Sequence, residues 1–324
     1  MGAYKLGSRA IIGTFYNQLE QDIGLSWVNR LAMLFNSNQE SETYAWLGMA
    51  PAMREWVGGR NAKGFNQNEY TIKNKKYEAT LEVLVDELRR DKTGQILLRV
   101  REMAVRYGSH WAKLLTALIV GGLAAGGECY DGQYFFDSDH SEGSSGTQSN
   151  LVSVDISALP TGDTTGSHGS TTAPSIGEMA LCIQEAIAKI MSFKDDQGEP
   201  MNELARQFIV MTPTTLFNAA LGACSVPFMA QGMNNPLVAG GGYSVTPVAN
   251  ARLDAASWTA TFAVFRTDGL AKPFIMQEEL PLQIDAIAEG SELEFNEDKH
   301  HYGIKAVRNV GYGYWQHAAH VTMT

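Results

Sequence analysis

The chain of 324 residues is 44% hydrophobic and 19% charged, with a formal net charge of −10; this excludes a disordered chain and allows one large or two ordinary cores. Cys129, Cys182 and Cys224 lie far apart, giving neither a metal spacing nor a disulfide framework, which points to a reducing compartment. The most apolar run, residues 114–125, is too short to span a bilayer, and residues 1–17 lack the apolar run of a signal peptide, so no membrane is expected.

In chain order, Phe15, Leu19, Ile23, Trp27 and Val28 predict a short helix that docks on something, with Gly13 and Gly24 limiting its rigidity. From Thr43 the text turns polar and aromatic. Residues 51–84 read as a long two-stranded excursion with too few large apolar side chains for a core of its own. Its second strand alternates strictly, with Tyr77, Ala79, Leu81 and Val83 on one face. Over residues 93–120, Ile96, Val100, Met103, Tyr107, Trp111, Leu114 and Leu118 recur at helical period. That predicts one continuous rod of roughly 40 Å, capped by Thr93, ended by Gly121 and Gly122, and holding Trp111 in the core.

After this spine comes an aromatic, turn-rich segment, residues 129–137. Residues 138–174 follow, rich in Ser, Thr, Gly and Asp, and read as a long loop or mobile flap. Structure resumes with a helix from Ser175, where Glu178 three residues on completes a capping box. A buried strand is expected at 208–211 and a helix opened by Pro213 and closed by Gly222. Further strands are expected at 245–248, 258–265, 273–276, 282–287 and through 301–321.

Charge is unevenly placed. Residues 51–113 hold 13 Lys or Arg against 8 Asp or Glu, and the remainder 12 against 27. A basic segment on an acidic body fits nucleic-acid binding or docking of one copy on another. Interleaved Glu55, Glu69, Glu78, Glu82 and Glu87 dilute any phosphate-binding stripe, which favours self-association.

Catalytic constellations are sparse. Asp131, Asp137, Asp139 and His140 offer a metal-ligand fragment, and hence an alternative reading as a metal-dependent hydrolase, but the calcium-loop spacing is absent. His300, His301, His317 and His320 read as a surface or interface cluster rather than a zinc site. Cys129 has no local signature of a nucleophile, and Gly240–Gly242 is not a phosphate loop. No catalytic residue, cofactor or metal is assigned, and no enzymatic activity is expected.

Tyr44-Ala45-Trp46-Leu47-Gly48, Pro51, Arg54-Glu55-Trp56-Val57-Gly58 and Arg60 resemble the Mu-like phage major head subunit family. So do Tyr130-Asp131-Gly132-Gln133, Phe135-Phe136-Asp137 with His140, and the later Pro273-Phe274-Ile275-Met276-Gln277-Glu278-Glu279. The resemblance covers most of the chain and is weakest at 1–30 and 138–174.

It implies an α+β fold, the major-capsid fold of tailed phages and herpesviruses. The implied parts are an N-terminal arm (1–45), an extended hairpin loop (46–84), a peripheral domain (85–150 and 271–324, spine helix 93–120) and an axial domain (151–270). The implied function is a structural subunit that self-assembles into pentamers and hexamers of an icosahedral head enclosing double-stranded DNA without sequence-specific binding. Portal, scaffold and maturation protease are implied partners during assembly, and a decoration protein is a further one; the implied location is the virion, after synthesis in the host cytoplasm. Candidate inter-subunit contacts are Arg54, Glu55, Trp56, Arg60, Lys63, Lys73, Lys75 and Lys76.

Overall fold

The computed structural model describes residues 7–21, 26–44, 70–91, 94–159, 168–228, 234–239, 242–256 and 258–324. In chain order these form α1 (Ser8–Gln21), α2 (Ser26–Leu31), β1 (Ala32–Asn36), β2 (Ser41–Tyr44), β3 (Tyr70–Lys73), β4 (Lys75–Leu84), α3 (Val85–Arg90), α4 (Gln95–Gly108) and α5 (His110–Gly121). There follow β5 (Leu151–Val154), α6 (Ile176–Met191), β6 (Gln207–Thr212), α7 (Thr214–Ser225), α8 (Pro236–Ala239), β7 (Ser244–Ala249) and β8 (Thr261–Arg266). The chain ends with β9 (Phe274–Ile287), α9 (Glu292–Glu297), β10 (Lys299–Tyr312) and β11 (Ala318–Met323).

Two main sheets organise the molecule. One has four strands in the order β1-β9-β10-β4, the other five in the order β5-β11-β8-β6-β7. In the first, β9 and β10 form a long antiparallel ladder. Sequence reading split β9 around Pro281, which has no N–H to donate. The strand runs through it nonetheless, because the ladder shifts register between Lys305 and Val307 and again between Val307 and Arg308, near that gap. Along β10 the faces alternate over Ile304, Ala306 and Arg308, which turn inward as the sequence alternation predicts; His300 and Tyr302 extend the same face, and Val310 is only partly buried.

Strand β4 pairs with β10 from Leu84 opposite Lys299 to Lys75 opposite Arg308. For residues 75–84 this corrects the reading of 51–84 as an excursion without a core. The face carrying Leu81 and Val83 packs with Val100, Ala104, Met103 and Tyr107 of the same chain's spine, so residues 75–84 are built into their own subunit. Residues 45–69, which include the tip of the expected hairpin, lie outside the described residues.

The spine is two helices rather than one. α4 and α5 meet at Ser109, which keeps right-handed backbone angles and i−4 hydrogen bonds on both sides, from its own amide to Val105 and from Lys113 to its carbonyl. Thr93, the expected cap, is outside the described residues; the Asp91 carboxylate accepts from the Gln95 and Ile96 amides at 3.1 and 3.0 Å instead. The two halves serve different cores. Val100 and Ala104 pack with Ile11 and Phe15 of α1, Tyr302 and Ile304. In α5 the fully buried residues are Ala112, Leu115, Thr116 and Ile119, one position on from the expected Trp111, Leu114 and Leu118. Trp111 is only half-buried, with the Arg308 guanidinium 4.7 Å from its ring centroid.

In the second sheet, Phe208 to Met211 are fully buried, with α7 packed against β6, as a short uninterrupted apolar run requires. The capping box at Ser175 and Glu178 is present as read. The strand at 318–323 differs from the expectation that 271–324 stays beside the spine. After Tyr312 the chain turns at the fully buried Trp315, and β11 inserts between β5 and β8.

Residues 138–159 are not a structureless flap. The Asn150 side chain accepts from the Asp137 amide and donates to the Phe135 carbonyl, and Gln148 and Lys194 exchange two hydrogen bonds. Buried polar side chains order this stretch in place of large apolar ones. The histidine reading is also corrected: His300, His317 and His320 are buried, and only His301, beside Glu82, is partly open. Burial lowers His317 to about 3 and His320 to about 4, so both stay neutral in the core.

Candidate assembly site

The sequence offered two candidate sites, and they fare differently. Around the metal-ligand fragment, Asp131 sits between Cys129, whose thiol donates at 2.9 Å, and His140, whose Nδ1 lies 2.7 Å away. Burial alone would raise the Asp131 carboxyl; hydrogen bonds from His140, Cys129 and the Gln133 amide outweigh it and hold the group below its usual value. The Cys129 thiol is pushed far up by burial and by that carboxylate, which keeps it protonated. His140 stacks on Trp315 at 3.9 Å between ring centroids.

Cys129, Asp131 and His140 are near enough to share an ion, but the expected four-residue set does not converge. Asp137 spends its carboxylate on the Tyr134, Ser138 and Asp139 amides, and Asp139 is exposed. Within the cluster, Asp131 is the one carboxylate and bonds both neighbours. The cluster is best understood as a brace that folds the 129–140 segment onto Trp315.

The second site is the root of the expected hairpin. Strands β2 and β3 pair antiparallel from Ser41 opposite Lys73 to Tyr44 opposite Tyr70, so residues 45–69 leave and return through one two-stranded stem. An isolated two-stranded ladder is marginal in water, and this one is clamped. Gln277 of β9, fully buried, accepts from the Tyr44 hydroxyl at 2.8 Å and donates to the Ile72 carbonyl at 3.1 Å and to Asn74 Oδ1 at 2.9 Å. Asn74 continues the chain of bonds to Ser37 Oγ and the Gln39 carbonyl. From β10, Asn309 donates to the Lys73 carbonyl at 2.7 Å, and the Tyr312 amide donates to the Tyr70 hydroxyl at 3.2 Å. β3 crosses so close above Gly311 that a Cβ there would collide with Ile72 and Tyr70.

Of the predicted contact residues, Arg54, Glu55, Trp56, Arg60 and Lys63 fall outside the described residues. Lys73 pairs with Glu40 at 2.8 Å on the exposed face of the stem, and Lys75 and Lys76 are exposed at the start of β4. Sequence reasoning missed the clamp itself. Gln277 stood in a quoted motif, yet a lone Gln among strand residues gives no sign of which segment it will hold.

A family model described as "Mu-like prophage major head subunit gpT" matches residues 10–159 and 233–324. The chain belongs to the Mu-like major head subunit family. The matched part includes both strands of the stem, the spine, and β9 to β11; α6, β6 and α7 fall in the unmatched stretch between. The major capsid protein of Escherichia phage Mu is 35% identical over 143 residues, which is 42% of this chain and 46% of that protein. The Mu-like prophage FluMu major head subunit of Haemophilus influenzae is 34% identical over 129 residues, 40% of this chain and 41% of that protein. The matched stretch therefore spans less than half the length of each relative.

Among solved structures, the procapsid of bacteriophage JBD30 aligns with a TM-score of 0.50 and 24% identity, covering 97% of this chain and 74% of that one. The capsid of cyanophage P-SCSP1u gives 0.54 and 11%, covering 93% and 89%. The mature capsid of bacteriophage PhiM1 gives 0.53 and 11%, covering 93% and 87%. These likenesses show the fold, the α+β major-capsid fold of tailed phages. Among the described residues no helix is long and apolar enough to cross a membrane.

Proposed function

We propose that this Mu-like head subunit builds the shell of a phage head, its copies assembling into pentamers and hexamers of a closed icosahedral container around double-stranded DNA. The observation that supports this reading is the clamped stem, a rigid root from which the segment carrying Arg54, Trp56, Arg60 and Lys63 departs. A rigid root beneath an extended segment lowers the ordering cost of reaching a neighbour. The net charge of −10 suits a wall that encloses DNA without gripping it. The work of such a protein is repeated interface formation, with no catalytic step.

In this reading the parts are an N-terminal arm, the extended hairpin, a peripheral domain containing the spine, and an axial domain built on the five-stranded sheet. Portal, scaffold and maturation protease serve during assembly, a decoration protein binds outside, and the subunit passes from the host cytoplasm into the virion.

The test is removal of the hairpin tip. Deleting residues 59–68 leaves a subunit with an unchanged melting transition that yields no stable shells when expressed with its assembly partners. Shells of normal yield and diameter from that deletion contradict the bridging role.

A further inference from the structure

Among the described residues, one groove and one loop carry opposite charge and complement each other, with Glu297 of the loop paired locally to Lys299 at 3.2 Å and Glu292 in no ion pair. The groove, about 630 Å³, lies between β4 and the spine. Tyr77, Ala79, Leu81 and Met103 give it apolar walls, and Arg106, Lys113 and Arg252 line its rim. None of these three cations makes an ion pair among the described residues, whereas Arg99 is held by Glu102 at 2.9 Å. Glu78 is the opposing carboxylate on the wall. His110 also faces the groove; burial first, then Arg308 and Lys113, lower it to about 4, so it adds no charge near neutrality. A second hollow of about 500 Å³ shares Lys113 and Arg252 and continues along α5.

The loop is the β9–β10 connection. Residues 289–298 carry five acidic side chains (Glu289, Glu292, Glu294, Glu297 and Asp298) and no Lys or Arg. At its crest Phe295 is 90% exposed, while the neighbouring Leu293 is partly buried. The loop is firmly built. Ser291 caps α9, Glu294 takes the Gly290 amide at 2.6 Å and lies 3.3 Å from His300, and the Asp298 carbonyl accepts from the Val85 amide at 3.0 Å. A pinned loop that holds a bare phenylalanine out among carboxylates is shaped to insert elsewhere. Its pinning keeps it out of its own groove. The segment 45–69, with Arg54, Arg60 and Lys63 against Glu55 and Glu69, has the wrong sign for a basic groove.

We infer that the Phe295 loop of one copy docks in the β4–spine groove of a second copy, the phenyl ring on the apolar wall and Glu292 and Glu297 facing Lys113, Arg106 and Arg252. The contact is heterologous, with different surfaces on the two partners, so it propagates around a ring or across a shell. It rests on the shell-building reading and gives that assembly a second contact, independent of the hairpin. It also locates part of the charge asymmetry of the chain, since the groove's rim draws Arg106 and Lys113 from the basic segment.

The test uses full-length subunit carrying the photo-cross-linker p-benzoylphenylalanine in place of Phe295, co-assembled from light and heavy isotope-labelled chains. Irradiated particles yield mixed light–heavy peptides joining position 295 to residues 77–81 or 99–113. Cross-links within one chain, to another protein, to a different surface, or none at all overturn the contact. In a second arm, Glu292→Lys with Glu297→Lys lowers particle yield about tenfold or more, as like charges facing each other require, and adding Lys113→Glu with Arg252→Glu restores it. All four residues are exposed, so folding is retained, and unchanged yield or absent rescue overturns the proposal. Unmodified subunits run alongside separate the two readings: particles without the cross-link overturn this contact alone, while no particles at all overturn the shell reading with it.

Discussion

Glu142 shows how one buried carboxyl sets a pH response. Burial first, then the charges of Asp196 and Asp131, push it up to about 7 against the opposing hydrogen bond from Tyr130. Below pH 4.5 it is protonated in both folded and unfolded chains and favours neither. Between 4.5 and 7 the unfolded chain releases its proton first, so stability falls as pH rises, and above 7 the whole penalty, at most about 3 kcal/mol, is in place. Glu142→Gln therefore raises the melting temperature at pH 8 and leaves it nearly unchanged at pH 5. An equal gain at both values contradicts this. The tryptophans separate by burial: Trp315→Ala costs about 3–5 kcal/mol as a fully enclosed aromatic, and Trp111→Ala about 1–2, the worth of a half-open ring under a guanidinium. Urea unfolding of both variants checks the order, which equal losses would refute.

At the scale of elements, the hairpin stem stands or falls on its clamp. Gln277→Leu removes three hydrogen bonds, among them the one to the Asn74 amide oxygen, costing about 1–3 kcal/mol. Gly311→Val drives a side chain into Ile72 and Tyr70. Both changes make residues 37–74 the first site of limited proteolysis while β6 to β8 stay protected; unaltered digestion patterns count against the clamp. Period alone disclosed the inward face of β10, the helix at Ser175 and the alternation of β4, since each obeys a local rule. Local rules do not report partners. β4 reads as coreless because its core is supplied by α4, and the histidines of 300–320 read as surface because polar residues usually are. The shift of the buried face in α5 had no sequence signal, because that helix is apolar almost all round. Asp131 and His140 were legible only as members of a four-residue set with Asp137 and Asp139, and what they do was not: the ring under His140 comes from Trp315, far along the chain.

For the whole molecule, the two sheets divide the labour. The four-stranded sheet carries the spine, the hairpin root and the Phe295 loop, so every surface assigned here to contact with another copy hangs on β4, β9 and β10. The five-stranded sheet is closed by the C-terminal β11, which ties the end of the chain into its middle. Whether the hairpin of one subunit reaches across to a neighbour is read from an electron-microscopy reconstruction of particles formed by subunits expressed with their assembly partners. The expected result is closed shells in which density for residues 45–69 leaves the β2–β3 stem and lies over the adjacent subunit. Shells in which that density folds back onto its own spine, or a protein that remains monomeric, contradict it.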